Sequence, residues 1–198
     1  MAKPLLIGSG NPGKAQELAV LLEGLPWEVK SLNDFPRTPA PEEDGGSFEA
    51  NAVKKALYYC GRFALACVAD DSGLIVDALG GAPGVYSARY AGEEQDPVKN
   101  NAKLLAELAD TPWPARTARF ACCAAFVEPD GEAHVEVGTV EGHISMACFG
   151  DNGFGYDPLF VPTGQEQTFA EMAPEAKHAI SHRGMAFQKL RAYLERLA

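Results

Sequence analysis

Two adjacent carboxylates, Asp70 and Asp71, lead directly into Ser72 and Gly73, and together they hold most of the reactive potential of this chain. The apolar run 63–69 delivers them, which predicts a buried strand ending in a sharp turn, with both acids at its carboxyl end. In sheets with parallel strands, ligands collect at those ends. Neighbouring carboxylates with no cation beside them in sequence are costly. Water solvates them, or one takes a proton, or a metal ion sits there. Asp, Ser and Gly are also turn formers, so a plain turn reads from the same residues. The segment that follows, 77–90, is a long connection carrying Gly80, Gly81 and Gly84. Such loops let backbone approach a ligand closely.

A second candidate is Ser9-Gly10-Asn11-Pro12-Gly13-Lys14. It lies between a short apolar strand at 4–7 and a helix at 15–22 whose Leu18, Leu21 and Leu22 share one face. Strand, glycine-rich turn and helix start aim backbone N–H groups and the positive end of a helix dipole at an anion, and Lys14 adds a full charge. Residues 8–14 satisfy most of the pattern G-x-x-x-x-G-K-[ST]. Ala15 stands where a hydroxyl would hold magnesium, and Pro12 removes one amide from the cradle. The expectation is a phosphate-binding turn of another kind; the alternative is a helix-capping turn with a surface lysine.

Several elements must position these groups. Residues 27–32 read as a second strand, and 36–46 as a proline-rich acidic loop with Glu42, Glu43 and Asp44. The loop is either simply solvated or supplies a carboxylate that completes a magnesium site with Asp71. Ser47 caps a helix to about residue 63, with Phe48, Ala52, Ala56, Cys60 and Phe63 as its buried stripe. Asn51 and Lys55, one turn apart, share another face. A helix over 96–108 with Ala102, Leu105 and Leu108 apolar comes next, then a central strand over 118–127 that is apolar on both faces. Pro129-Asp130-Gly131 turns into an alternating strand over 133–144, where His134 and His143 occur singly as exposed-strand histidines. Gly153 and Gly155 flank Phe154 and leave its ring open for stacking, while Pro158 restricts Asp157. Ser181 caps a final helix over 183–197 that packs Ala186, Phe187, Leu190, Leu194 and Leu197 inward. His182 and Arg183 at its start oppose the helix dipole, which calls for a partner such as a phosphate or the keto oxygen of a base.

A length of 198 residues suits a single domain spanning 1–198. The net charge of -10 and the lack of a dense Lys/Arg cluster exclude a nucleic-acid partner, though not a small anion. No apolar run approaches ~18 residues, so no membrane span is expected. The amino-terminal apolar stretch breaks at Gly8, too early for a signal peptide. Five cysteines, with no C-x-x-C pair, read as reduced packing residues of a cytoplasmic protein.

Ser9 to Lys14, Ala69-Asp70-Asp71-Ser72-Gly73-Leu74, Gly80-Gly81-Ala82-Pro83-Gly84, Phe154-Gly155-Tyr156-Asp157 and Ser181-His182-Arg183-Gly184 occur in this order. In that order and spacing, the chain resembles the non-standard purine nucleoside triphosphate pyrophosphatases, the inosine triphosphatase or Ham1-like family, along nearly its whole length. The resemblance implies two lobes around a central cleft in an α/β fold, with a mixed twisted sheet and helices on both faces. It also implies a homodimer. The activity implied is magnesium-dependent hydrolysis of dITP, ITP and XTP to the monophosphate and pyrophosphate, which cleanses the nucleotide pool. Carried over, Ser9, Gly10, Asn11, Pro12, Gly13 and Lys14 hold the triphosphate. Asp71 is general base and metal ligand, Glu42 is a second magnesium ligand, and Lys55 and Ser72 contact substrate. Phe154 stacks on the base with Gly155, Tyr156 and Asp157 nearby, and Lys177, His182 and Arg183 read the base. Two departures stand out: Ser9 replaces the usual Thr, and Ala50 occupies a place where relatives carry Glu. A kinase or NTPase of the phosphate-loop kind, which Ala15 argues against, and a non-catalytic nucleotide sensor are the competing readings.

Overall fold

The computed structural model describes residues 2–197. Its elements run β1 (Lys3–Ile7), α1 (Pro12–Leu21), β2 (Trp27–Ser31), α2 (Phe48–Phe63), β3 (Ala66–Val76), α3 (Pro97–Glu107), β4 (Thr117–Val127), β5 (His134–Ile144), β6 (Phe160–Pro162), α4 (Pro174–Ile180) and α5 (His182–Leu194). One six-stranded sheet has the order β2-β1-β3-β4-β5-β6. β1 pairs parallel with β2 and β3, whereas β6 pairs antiparallel with β5. The chain therefore forms the α/β fold with a mixed sheet that its sequence leads one to expect. β4 lies between β3 and β5, as its two apolar faces require.

The chain divides into two compact units. The first holds residues up to Asp71, Cys122–Gly138 and residues from Arg183 onward; the second holds Ser72–Ala121 and Thr139–His182. In the first unit, alternating strand residues feed two cores. Leu5, Ile7, Val68, Cys122, Ala124 and Phe126 pack with Leu18 of α1 and with Ala186, Phe187, Leu190 and Leu194 of α5. Leu6, Cys67, Ala69, Cys123 and Ala125 pack with Ala52, Ala56, Tyr59 and Cys60 of α2. The period-two alternation of strands thus places helices on both faces of the sheet. In the second unit, the rings of Phe120, Phe160 and Phe169 meet at centroid separations of 4.8 to 6.1 Å.

Three expectations need correction. β3 does not stop in a turn at Asp70 but runs on through Ser72 and Gly73 to Val76. The buried residues of α3 are Asn100, Asn101 and Leu104, followed by Leu108 just past its end, while Ala102 is exposed. Its inward face is therefore partly amide, because those side chains bond to backbone elsewhere in the unit. Cys148 is exposed, unlike the other four cysteines. Burial pushes the Cys123 thiol up to about 11, so it packs as a protonated group. Among the described residues no helix is long and apolar enough to cross a membrane.

Candidate functional site

Because β3 is continuous, Asp70 and Asp71 point to opposite faces of the sheet. That geometry, rather than water or a shared proton, separates the two charges. Asp70 shares the face of Val68, towards α1 and α5. Its Oδ2 lies 3.3 Å from Lys14 Nζ and accepts from Arg183 Nη2 and Nε at 3.2 and 3.3 Å. Arg183 Nη1 donates to Glu17 Oε2 at 2.6 Å. Burial pushes the Asp70 carboxyl up, but Lys14, Arg183 and Lys55 outweigh it and hold the group well below the usual carboxylate range. Burial likewise works against the Arg183 charge, and Asp70 and Glu17 more than restore it.

Asp71 takes the opposite face, towards α2. Its Oδ2 accepts from Asn51 Nδ2 at 3.0 Å, and its Oδ1 lies 3.3 Å from Lys55 Nζ. The turn of helix that separates Asn51 from Lys55 lets both reach one carboxylate. Lys55 also donates to Glu43 Oε1 at 2.9 Å, and Asn51 Oδ1 accepts from the Gly45 amide at 2.8 Å. These contacts fasten the acidic loop beside Asp71. Burial pushes the Lys55 ammonium down, but Asp71, Asp70 and Glu43 raise it above its ordinary value, so it stays charged. Glu42 is exposed, and Glu43 is the loop carboxylate on Lys55.

The turn after β1 caps α1 and carries its lysine inward. Asn11 is the N-cap, its Oδ1 accepting from the Lys14 amide at 3.1 Å, and Pro12 occupies the first helical turn, where no N–H is needed. Ser9 Oγ accepts from the Asn11 amide at 3.4 Å. Gly8 donates to Val68 O at 2.7 Å, and a Cβ there would meet Cys67 Sγ and Tyr59 at 2.9 Å. Capping turn and inward cation coexist: the side chain of Lys14 is 16% exposed and engaged with Asp70, so it is no surface lysine.

The second unit gathers the other residues that the sequence singles out. Asp157 Oδ2 accepts from the Phe154 amide at 2.8 Å and from Lys177 Nζ at 2.7 Å. Lys177 Nζ also lies 5.0 Å from the centroid of the Phe154 ring. Gly153 has φ +74, and a side chain there would strike the Asp157 carboxylate, so only glycine fits. Tyr156 is buried and donates to Ser87 O at 2.8 Å, while His182 stacks on Phe120 at 4.6 Å. Ser72 is half-buried on β3. Glu17 escaped the sequence reading. Its signal is a carboxylate placed beside Leu18 on the buried arc of α1, where a charge is tolerated only when paired.

Comparison with known proteins identifies the family of the chain. The Ham1 family model matches residues 5–193. A dITP/XTP pyrophosphatase of Desulforamulus reducens is 50% identical over 98% of this chain and 96% of its own length. One from Geobacter sulfurreducens is 48% identical over 96% of each. The solved structure of the Staphylococcus aureus Ham1 protein superposes with a TM-score of 0.87 at 40% identity, covering 99% of this chain and all of that one. The same residues that form the two sites above lie within these full-length matches, and the chain belongs to the Ham1 family.

Proposed function

We propose that this chain is an enzyme that hydrolyses non-standard purine nucleoside triphosphates, dITP, ITP and XTP, to the monophosphate and pyrophosphate. One observation carries the reading. β3 holds two carboxylates back to back, one against the lysine of a glycine-rich phosphate turn and the other against Asn51, Lys55 and an acidic loop. The relatives named above are dITP/XTP pyrophosphatases, which supports the same substrates.

Residues 9–14 hold the triphosphate through backbone amides at the start of α1 and through Lys14, which offsets charge growing on the leaving pyrophosphate. Asp71 orients a water against the α-phosphorus. The water oxygen bonds to that phosphorus, the bridging oxygen departs with pyrophosphate, and the water proton passes to the Asp71 carboxylate and then to solvent. General-base help of this kind is worth about 100- to 10,000-fold. Among the described residues no three His, Cys, Asp or Glu side chains converge. Magnesium commonly takes only one or two protein carboxylates; buried Asp71 would be one such donor, and Glu42, on the acidic loop fastened beside it, would be the second. When bound, magnesium neutralises phosphate charge and orients the triphosphate for in-line displacement.

Phe154 stacks on the base, its ring set by Asp157 and Lys177. Lys177 and His182 favour a 6-keto acceptor over the amino group of adenine, which would leave a donor unpaired at about 1–3 kcal/mol; Arg183, which the family resemblance gives the same role, is committed to Asp70 and Glu17. We place the reaction in the cytoplasm and in a homodimer; the buried, unpaired thiols support the first and the family resemblance the second.

Incubation with dITP, ITP and ATP, with and without magnesium, followed by identification of the phosphorus products, tests the proposal. Pyrophosphate from dITP and ITP, with little from ATP, is the expected result. Orthophosphate alone would point to a kinase-like NTPase, and intact bound dITP to a sensor.

A further inference from the structure

The inward face of α3 carries two amide side chains, Asn100 and Asn101, where leucines would be ordinary. Asn100 braces the turn before its own helix: its Oδ1 accepts from the Ala91 amide at 2.7 Å, and its Nδ2 donates to Ala88 O at 2.9 Å. Asn101 reaches a different place. Its Nδ2 donates to the carbonyl of Gly155 at 3.0 Å, in the middle of the turn that presents Phe154. The other end of that amide, Oδ1, is buried with no hydrogen-bond partner among the described residues. Reversing the amide would set oxygen against the Gly155 carbonyl, so the orientation is determined. An unpartnered buried acceptor is destabilising, and an apolar residue would avoid it. What an apolar residue cannot do is hold Gly155.

The Phe154 turn is then fixed at three successive residues. The Phe154 amide is bound by Asp157, the Gly155 carbonyl by Asn101, and the Tyr156 hydroxyl by the Ser87 carbonyl. Gly155 has φ +64, so its backbone has no Cβ to restrict it and depends on outside contacts for its setting. We propose that Asn101 is a positioning residue for base recognition. By holding the Gly155 carbonyl it sets the tilt of the Phe154 ring, and so governs KM for purine substrates without touching the reacting phosphorus. The inference rests on the reading of Phe154 as the stacking surface.

Asn101→Asp and Asn101→Ala separate this role from mere filling of space. Asp is nearly isosteric but replaces the donor with an oxygen facing the Gly155 carbonyl. Positioning therefore predicts that N101D is at least as impaired as N101A. KM for ITP should rise about five- to tenfold, the change that one hydrogen bond commands, with kcat within about twofold of the parent. Amide hydrogen exchange across residues 153–157 should quicken by a similar factor in both variants. N101D matching the parent while N101A is impaired would overturn the proposal, as would a fall in kcat at constant KM or unchanged exchange. If N101A fails to fold, N101D carries the test alone. If the parent protein releases no pyrophosphate from ITP, the functional reading fails, and the exchange measurement still decides whether Asn101 holds the turn.

Discussion

Asp70 and Asp71 are neighbours in the chain and face away from each other across the sheet, each with its own cations: Lys14 and Arg183 for the first, Lys55 for the second. A continuous strand thus lets two carboxylates sit side by side in sequence without sharing a site. Asp70 is sealed into a buried charge network, and Asp71 is tied through Lys55 to Glu43 of the acidic loop.

Asp71→Asn keeps the shape and the proximity of Asn51 but loses the proton acceptor. Pyrophosphate release from dITP should fall by about 100-fold or more. Circular dichroism should be unchanged, and a rate near that of the parent would remove Asp71 from the mechanism.

Arg183→Met leaves buried Asp70 with Lys14 but without its guanidinium and takes from Glu17 its 2.6 Å contact. Removing one partner of a buried ion network typically costs about 3–5 kcal/mol. Urea denaturation should show that loss, and adding Glu17→Gln should recover part of it in a double-mutant cycle. Additive effects would mean that the 2.6 Å contact between them contributes nothing.

Acid should unfold the protein through Asp70. Its carboxyl is held below the ordinary value of 3.8 in the folded state. The unfolded chain therefore binds the proton first as pH falls. The stabilisation is complete above that ordinary value and is lost as pH falls through the folded one. Urea midpoints measured from about pH 6 to about pH 3 should drop more steeply for the parent than for Asp70→Asn. Equal slopes would assign the acid limb to other groups.

The two loop carboxylates should separate by their metal dependence. Glu42→Gln should raise the magnesium concentration for half-maximal rate by at least the roughly 10- to 100-fold that a supporting residue costs. Glu43→Gln, which keeps an acceptor for Lys55 but loses the charge opposite it, should act mainly on the rate at saturating magnesium. The reverse pattern would exchange their roles.

Much of this was legible in the sequence. The Ser47 cap and the Ala52, Ala56 and Cys60 stripe of α2, and the doubly apolar β4, follow from local periodicity, and the structure has all three. The Asp70–Gly73 stretch misled because its residues are turn formers, yet pairing within the sheet overrides that preference and carries β3 on to Val76. Arg183 at a helix start pointed to a phosphate or a base oxygen, whereas the partners that the structure shows are protein carboxylates. Sequence could not say that the partners were Glu17 and Asp70, since they lie far away in the chain. The amide face of α3 was missed because apolar periodicity scores Asn100 and Asn101 as outward, and only tertiary hydrogen bonds turn them in.

Gly8 bears on how this chain can change. The space beside its α-carbon is already filled by a sulfur and an aromatic ring from two other elements. Even a methyl group there would push the start of the turn after β1 off its seat. Position 8 is therefore free to drift only in lineages that first trim both Tyr59 and Cys67, and a lone Gly8→Ala replacement should be purged while the compensated triple change survives.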